Sequence, residues 1–412
     1  MATDAESRRE PAPGPPPLRR SLAPLAAAIL LLGIADSMVG SYIVLFATDV
    51  AGLNPVQVGV LASAPAVGGI AVSWLLGRRF DRKPMRSYTV VVTALAGVGL
   101  ALMTRTTSFP VLVILAATLL GSQAAAFPQL FSMARVILGN GRTGQRSAPL
   151  LRSAWSLAWA IGPLIGAAML TRTGFATILW AAAGLLTVTS LLVAIAVPAP
   201  QQARERQADQ RPDLPSDATP TVLAVMLLTG SITLFFTAMY AGSVALPLYV
   251  TRGLHEPASA VGVLYSACAF VEVLAALALV AMPTRISQRA LILTGMATFV
   301  LYFVVTVLAH GMTLLVVGQA ARGIAIAVVG AAGIRFFQDL MAPATGRATT
   351  LFSNASTAGA LVSGILAGAS ISSFGYTSTL LLCAATATTA AAAFAAGAIA
   401  AGPFARQQPR TG

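Results

Sequence analysis

The chain has 412 residues, of which 57% are hydrophobic and only 9% charged, with a formal net charge of +13 and a mean hydropathy of +0.80. A soluble domain carries about 25% charged residues, so the composition excludes a chain with a fully solvated surface. In a soluble protein this positive charge would suggest nucleic acid. Here the basic residues flank apolar runs, which makes them markers of membrane topology and leaves no nucleic-acid partner to expect.

Residues 1–21 are polar and Pro-rich and carry Arg8, Arg9, Arg19 and Arg20; they read as a disordered cytoplasmic tail. The apolar stretch that follows exceeds a signal-peptide core and lacks a convincing cleavage site, so it reads as a retained first span. A membrane crossing needs about 20 mostly apolar residues. Such runs fall near 22–48, 55–77, 86–104, 109–138, 148–171 and 174–197, and again near 220–250, 257–282, 287–309, 312–341, 346–370 and 376–402. Backbone groups in hydrocarbon need partners within the protein, and the alternation of a membrane barrel is missing, so these runs are helices.

Residues 198–219, with three Arg, four acids and four Pro, read as a polar cytoplasmic linker, and 403–412 as a second cytoplasmic tail. The fold expected is an all-α membrane protein of twelve transmembrane helices in two pseudo-symmetric six-helix halves, 22–197 and 220–402. An offset of about 202 residues aligns Gly162 with Gly364 and Gly166 with Gly368, and sets the loop Arg78–Arg86 against a faint echo at Pro283–Arg289.

Basic residues orient the chain. One side collects the N-terminal arginines, the cluster Arg78, Arg79, Arg82, Lys83 and Arg86, then Arg142, Arg146, Arg204, Arg206, Arg211, Arg285, Arg289, Arg347, Arg406 and Arg410; the opposite loops hold Arg105, Arg172 and Arg252. The positive-inside rule places both termini in the cytoplasm, which requires an even number of spans.

The loop after the second span reads Gly77-Arg-Arg-Phe-Asp81-Arg82-Lys-Pro-Met-Arg86. Gly77 permits close helix approach and a tight exit, and Asp81 is an anion suited to a helix N-terminus. This loop resembles the G-x-x-x-D-R-x-x-x-R loop of the major facilitator superfamily, without its second glycine. The resemblance implies that Asp81 meets the start of helix 11 and locks the outward-facing state, with Gly77, Arg82 and Arg86 in the same gate. In the fifth span, Gly162-Pro163-Leu-Ile-Gly166 resembles the G-P-x-x-G motif of exporters in that superfamily. Small residues four apart let helices pack closely, and Pro163 bends its helix, which adds Gly162 and Pro163 to the gating set.

Two longer stretches resemble the sugar efflux transporter family. One is Pro128-Gln-Leu-Phe-Ser-Met-Ala-Arg135 with Leu151-Arg152-Ser-Ala-Trp155-Ser-Leu-Ala-Trp159-Ala-Ile-Gly-Pro163; the other is Phe337-Gln-Asp-Leu-Met341 with Ala348-Thr-Thr-Leu-Phe-Ser-Asn354. The resemblance implies export of mono- or disaccharides and related glycosides by proton antiport. Lys83 is the one lysine among 26 basic residues, which reads as a GC-rich bacterial genome and hence a bacterial cytoplasmic membrane.

The residues themselves suit that reading. A charge inside a span costs about 2.5–3.5 kcal/mol on insertion scales and must face the interior or water. Arg152 is such a charge, and at 100° per residue Trp155 and Trp159 fall near its face. Hydroxyls can bond the guanidinium while sugar ring faces stack on indole; the alternative is an Arg–Trp contact that merely joins helices. Gln123 and Gln129 in the fourth span, Tyr240 in the seventh and Asn354 in the eleventh are neutral hydrogen-bonding groups, as a sugar pocket requires, though each can equally bond another helix.

Glu272, mid-span in the eighth helix on a stripe with Tyr265 and Cys268, suits reversible protonation, and the resemblance also places an acid there; an ion pair with Arg152 or Arg322 is the alternative. Asp36, near Gly33 and Gly40, is a departure from the family pattern. It reads as a second proton-coupling site or as the mark of a different substrate, such as a cationic drug. Arg322, Arg335 and Asp339 in the tenth span can form a charge network at the cytoplasmic end or a gate, with Arg335 and Asp339 read as structural.

Cys268 and Cys383 lie in apolar spans without ligand spacing and read as packing residues. No metal set, nucleophile–base pair or phosphate-cradling loop is present in the sequence, so neither an enzyme nor a cofactor is expected. The expectation is a monomeric secondary transporter in a lipid bilayer, taking a sugar and protons as its small-molecule partners. A drug or metabolite exporter on the same fold is the competing reading.

Overall fold

The computed structural model describes residues 18–82, 85–138, 142–197, 221–281, 286–342 and 344–402. The expected linker 198–219 and nearly all of the two tails lie outside the described residues.

The apolar runs form long helices. In the N-terminal half these are α1 (Leu18–Leu45), α2 (Pro55–Arg82), α3 (Arg86–Met103), α4, α5 (Arg142–Thr173) and α6 (Phe175–Ala196). Helix α4 is assembled from Phe109–Leu115, a π-helical turn Ala116–Leu120, Gly121–Gln123 and Ala126–Leu138. The C-terminal half begins with α7 (Val222–Leu248), α8 (Ala260–Ala281), α9 (Gln288–Val307) and α10 (Met312–Leu340).

The last helical run, Thr345–Ala400, is 56 residues long. At 1.5 Å per residue it would measure about 84 Å, far beyond a bilayer core of about 30 Å. Gly375 breaks it with φ 79° and ψ 179°, a conformation open essentially only to glycine. The run is therefore two spans, α11 (345–374) and α12 (376–400). Gly174, between α5 and α6, carries φ 88° and ψ 179°. The same break thus separates the fifth and sixth spans of each half, at an interval of 201 residues.

Other features repeat at nearly the same interval. Arg86, at the start of α3, donates from Nη1 to the carbonyl of Val197 just past α6, at 2.8 Å. Arg289, at the start of α9, donates to the carbonyl of Gly402 just past α12. Each places a cation at the negative end of a helix dipole. Helices α1 and α7 both end in a π-helical turn, Phe46–Val50 and Tyr249–Gly253. The faint internal repeat of the sequence is thus a repeat of backbone geometry.

We call the face where α1 begins proximal and the opposite face distal. The halves pack most closely toward the distal face. A Cβ on Gly59 of α2 would collide with the Gly364 carbonyl of α11, and one on Gly368 with the Pro55 carbonyl. Small residues there let two backbones touch, as in membrane helix pairs generally. On the other flank, Gly262 of α8 abuts the Tyr42 hydroxyl and the Pro163 carbonyl. Tyr42 donates to that carbonyl at 3.2 Å.

Candidate functional site

Near the middle of α1, Gly33, Asp36 and Gly40 fall within about 60° of one another around the helix. The two glycines let α5 approach. A Cβ on Gly33 would lie 3.2 Å from Trp155 Cε3, and one on Gly40 would lie 3.6 Å from Trp159 Cη2. The indoles therefore contact α1 one turn to either side of the level of Asp36. Phe127 of α4 packs on Trp155 with ring centroids 4.4 Å apart.

Asp36 is held from α4. Gln123 Nε2 donates to its Oδ1 at 3.1 Å, and Oδ2 has no partner among the described residues. Tyr240 of α7, in the other half, lies beside Ser356 of α11 and within electrostatic reach of Asp36. Gln123, Trp155, Trp159, Tyr240 and Asp36 are thus brought together. The Trp159 indole N–H is buried without a hydrogen-bond partner.

Arg152 does not join this group through its neighbours on α5. It is exposed, and its charge acts instead on Glu272 of α8, across the seam between halves. Arg322 of α10 acts on Glu272 from within the C-terminal half. Neither arginine lies within 4 Å of the carboxylate, and Glu272 has no hydrogen-bond partner among the described residues. A Cβ on Gly323 would lie 2.9 Å from the Glu272 nitrogen, so α8 and α10 are in tight contact at this level.

Arg322 is buried, only 5% exposed. It donates to Ser243 Oγ of α7 at 2.7 Å and weakly to Gln319 at 3.5 Å. Its guanidinium lies 4.9 Å from the Tyr265 ring centre and 5.7 Å from that of Tyr302. A buried cation without a carboxylate is tolerated when aromatic faces and hydroxyls receive it. Sequence reasoning flagged Arg322 but not its aromatic seat, because Tyr265, Tyr302 and Ser243 come from three other helices.

The remaining predicted residues lie elsewhere. Gln129 is buried against α3, accepting from Thr89 Oγ1 at 3.1 Å, and is not brought to the group around Asp36. Asn354 is exposed on α11 and makes no hydrogen bond among the described residues. Gly162 and Pro163 pack against α1, where a Cβ on Gly162 would strike Ser37. Gly77 sits in the last turns of α2, and the side chains of Asp81 and Arg82 lie outside the described residues. Arg86 binds the Val197 carbonyl. Asp339 accepts from Gln288 of α9 at 2.8 Å.

One interaction had no forerunner in the sequence reading. Asp49, in the turn that ends α1, accepts from Arg252, in the turn that ends α7, at 2.9 Å. The signal was the repeat itself, which sets residue 49 against residue 252.

A groove of about 470 Å³ opens at the distal seam between α5 and α8, walled by Leu164, Ala167, Val263 and Met312, with Glu256 as its one ionisable group. None of the predicted site residues lines it. Its apolar walls suit a lipid chain better than a polar solute.

Two repeated helical bodies enclosing polar groups at mid-membrane define a membrane transporter. The chain belongs to the major facilitator superfamily, whose sequence profile matches residues 25–252 and 228–410. It is 36% identical over 371 residues to a Deinococcus radiodurans protein assigned as a sugar efflux transporter, covering 89% of this chain and 95% of that one. It is 27% identical over 354 residues to sugar efflux transporter A of Escherichia coli, covering 84% and 88%. Among solved structures, a variant of the nucleoside transporter NupG superposes with a TM-score of 0.78 at 15% identity, over 92% of this chain and all of that one. A bacterial homologue of the lysosomal transporter Spinster does so at 0.78 and 12%, over 94% and 98%. These two likenesses concern the fold alone.

Proposed function

We propose that the protein exports sugars from the cytoplasm by proton antiport, through alternating access of its two halves. The observation that carries this reading is the convergence of two indoles, Phe127, Gln123 and Tyr240 from α4, α5 and α7. Flat apolar plates beside neutral hydrogen-bonding groups match a sugar, which has apolar ring faces and a rim of hydroxyls. The names of the two sugar efflux relatives support the same substrate class.

The proximal face, rich in arginine, is the cytoplasmic one by the positive-inside rule, and the membrane is a bacterial inner membrane. The packed distal seam closes this conformation on the side away from the cytoplasm, as a carrier that loads from the cytoplasm requires. Glu272 is the coupling group: it faces Arg152 from the other half, so rocking of the halves changes its electrostatic surroundings. Gly77, Asp81, Arg82 and Arg86 form the cytoplasmic gate of the opposite state. The carrier works as a monomer.

The test uses inside-out membrane vesicles containing the protein, energised acid inside. Uptake of radiolabelled lactose and glucose above empty-vector vesicles, abolished by an uncoupler, is the expected result. Absence of uptake of either sugar by correctly folded protein would overturn the reading. The unpaired Asp36 among aromatic rings would then favour a cationic drug or metabolite exporter on the same fold.

A further inference from the structure

Asp36 is a carboxylate in the middle of a membrane helix without a cation within ion-pair distance. A charge so placed is expensive and is normally paired or functional. Its one hydrogen bond comes from a neutral amide, Gln123, onto Oδ1. An ionised carboxylate has two oxygens and about four acceptor sites, so most of its capacity is unused. Around it stand Trp155 and Trp159, Tyr240 and Phe127. Besides the unpartnered Trp159 indole N–H, what the site offers is chiefly acceptors and ring faces.

We infer that Asp36 is a specificity-determining ligand that accepts hydrogen bonds from a vicinal pair of hydroxyls on a neutral sugar, with Gln123 as the residue that positions it. This rests on the sugar reading above and adds to it the substrate class and the atom that selects it. A hydroxyl donating to a carboxylate forms one of the stronger hydrogen bonds available. Two adjacent equatorial hydroxyls can reach the one carboxylate while the ring lies against an indole. Gln123 fixes the carboxylate plane through Oδ1 and leaves Oδ2 toward the substrate. The same negative charge disfavours sugar phosphates and sugar acids, so the cargo is unphosphorylated.

The test is binding to the full-length purified chain, measured with glucose and lactose and with their singly deoxygenated forms. For whichever sugar binds, removing one of two adjacent hydroxyls should weaken wild-type binding by about 10- to 100-fold, as for a hydrogen bond to a charged group. Asp36→Asn should lose a comparable factor on the parent sugar and no longer distinguish those deoxygenated forms, closing a cycle between protein and ligand changes. The deoxygenation series on wild type needs no variant to fold. Equal wild-type affinity for every deoxygenated form overturns the inference while leaving the sugar reading standing. So does full affinity in Asp36→Asn with loss of the pH response of transport, which would make Asp36 a proton carrier. Binding of tetramethylammonium that depends on Asp36, with no sugar bound by wild type, overturns both.

Discussion

Asp49 and Arg252 occupy equivalent places in the two halves and bind each other. Each is the fourth residue of a π-helical turn, Phe46–Val50 or Tyr249–Gly253. The turns share their backbone bonds: Ala51 N–H reaches the Phe46 carbonyl as Leu254 N–H reaches that of Tyr249, and Leu53 reaches Ala47 as Glu256 reaches Val250. Repetition brings the two positions face to face on the distal side, and opposite charge joins them. It is the one ion pair within 4 Å among the described residues.

Both side chains are more than a third exposed, 41% for Arg252 and 38% for Asp49, so the pair contributes no more than about 1 kcal/mol. That is still a shift of up to about fivefold between two states. With Cys268 and Cys383 replaced by serine and a reporter Ser63→Cys placed in the α2–α11 seam, Asp49→Asn should speed labelling by an impermeant maleimide up to about fivefold. The swap Asp49→Arg with Arg252→Asp should restore the slow rate. Equal rates in all three would show that the pair does not hold the seam.

The α2–α11 seam depends on backbone contact. Gly364→Leu places a side chain against the Gly59 carbonyl and Ser63. Transport should stop while the variant inserts and remains monodisperse in size-exclusion chromatography, because the closed distal seam can no longer form. Normal turnover by this variant would mean that the seam opens and closes without close packing.

Gly174 and Gly375 test the opposite property. A Cβ at either would meet nothing within 4 Å, yet each sits at positive φ with an extended ψ. Alanine at either position should cost about 1–3 kcal/mol through backbone strain alone. Thermal unfolding in detergent should show a lower midpoint for each single variant and an additive loss for the pair, since the sites are in different halves.

Glu272→Gln should abolish proton-driven accumulation of sugar while leaving sugar–sugar exchange, which needs no net proton movement. Arg152→Gln, which removes the charge facing Glu272 from the other half, should shift the pH profile of transport without abolishing exchange. An unchanged pH dependence in Glu272→Gln would remove that residue from the coupling step.

Much of the fold is legible in the sequence because hydrocarbon leaves so few solutions: the apolar runs mark the spans closely, and Arg86 and Arg289 prove to be true repeat equivalents. The glycine break at residue 375 falls between two predicted spans, yet the helix runs through it with only one residue out of line. The site is less legible. Trp155, Trp159, Gln123, Tyr240 and Asp36 meet because helices from both halves converge, and helical periodicity ranks faces within one helix without saying what they meet. The face of α5 shows the limit: angle alone groups Arg152 with Trp155 and Trp159, but the indoles go to α1 and the charge of Arg152 acts on Glu272 across the seam. Gln129 satisfies an internal helix contact with Thr89, an alternative that a lone polar residue in a span always carries.

The arginine staple at the end of each half has a mechanical consequence. Val197 is the last described residue before the stretch that joins the two halves, and its carbonyl is tied to Arg86 on a different helix. A pull along the connecting chain therefore loads two helices at once and cannot simply unwind the final turn of α6. Each bundle is gripped at the end of its sixth span, so a load applied there moves the bundle as a whole body rather than being dissipated as local fraying.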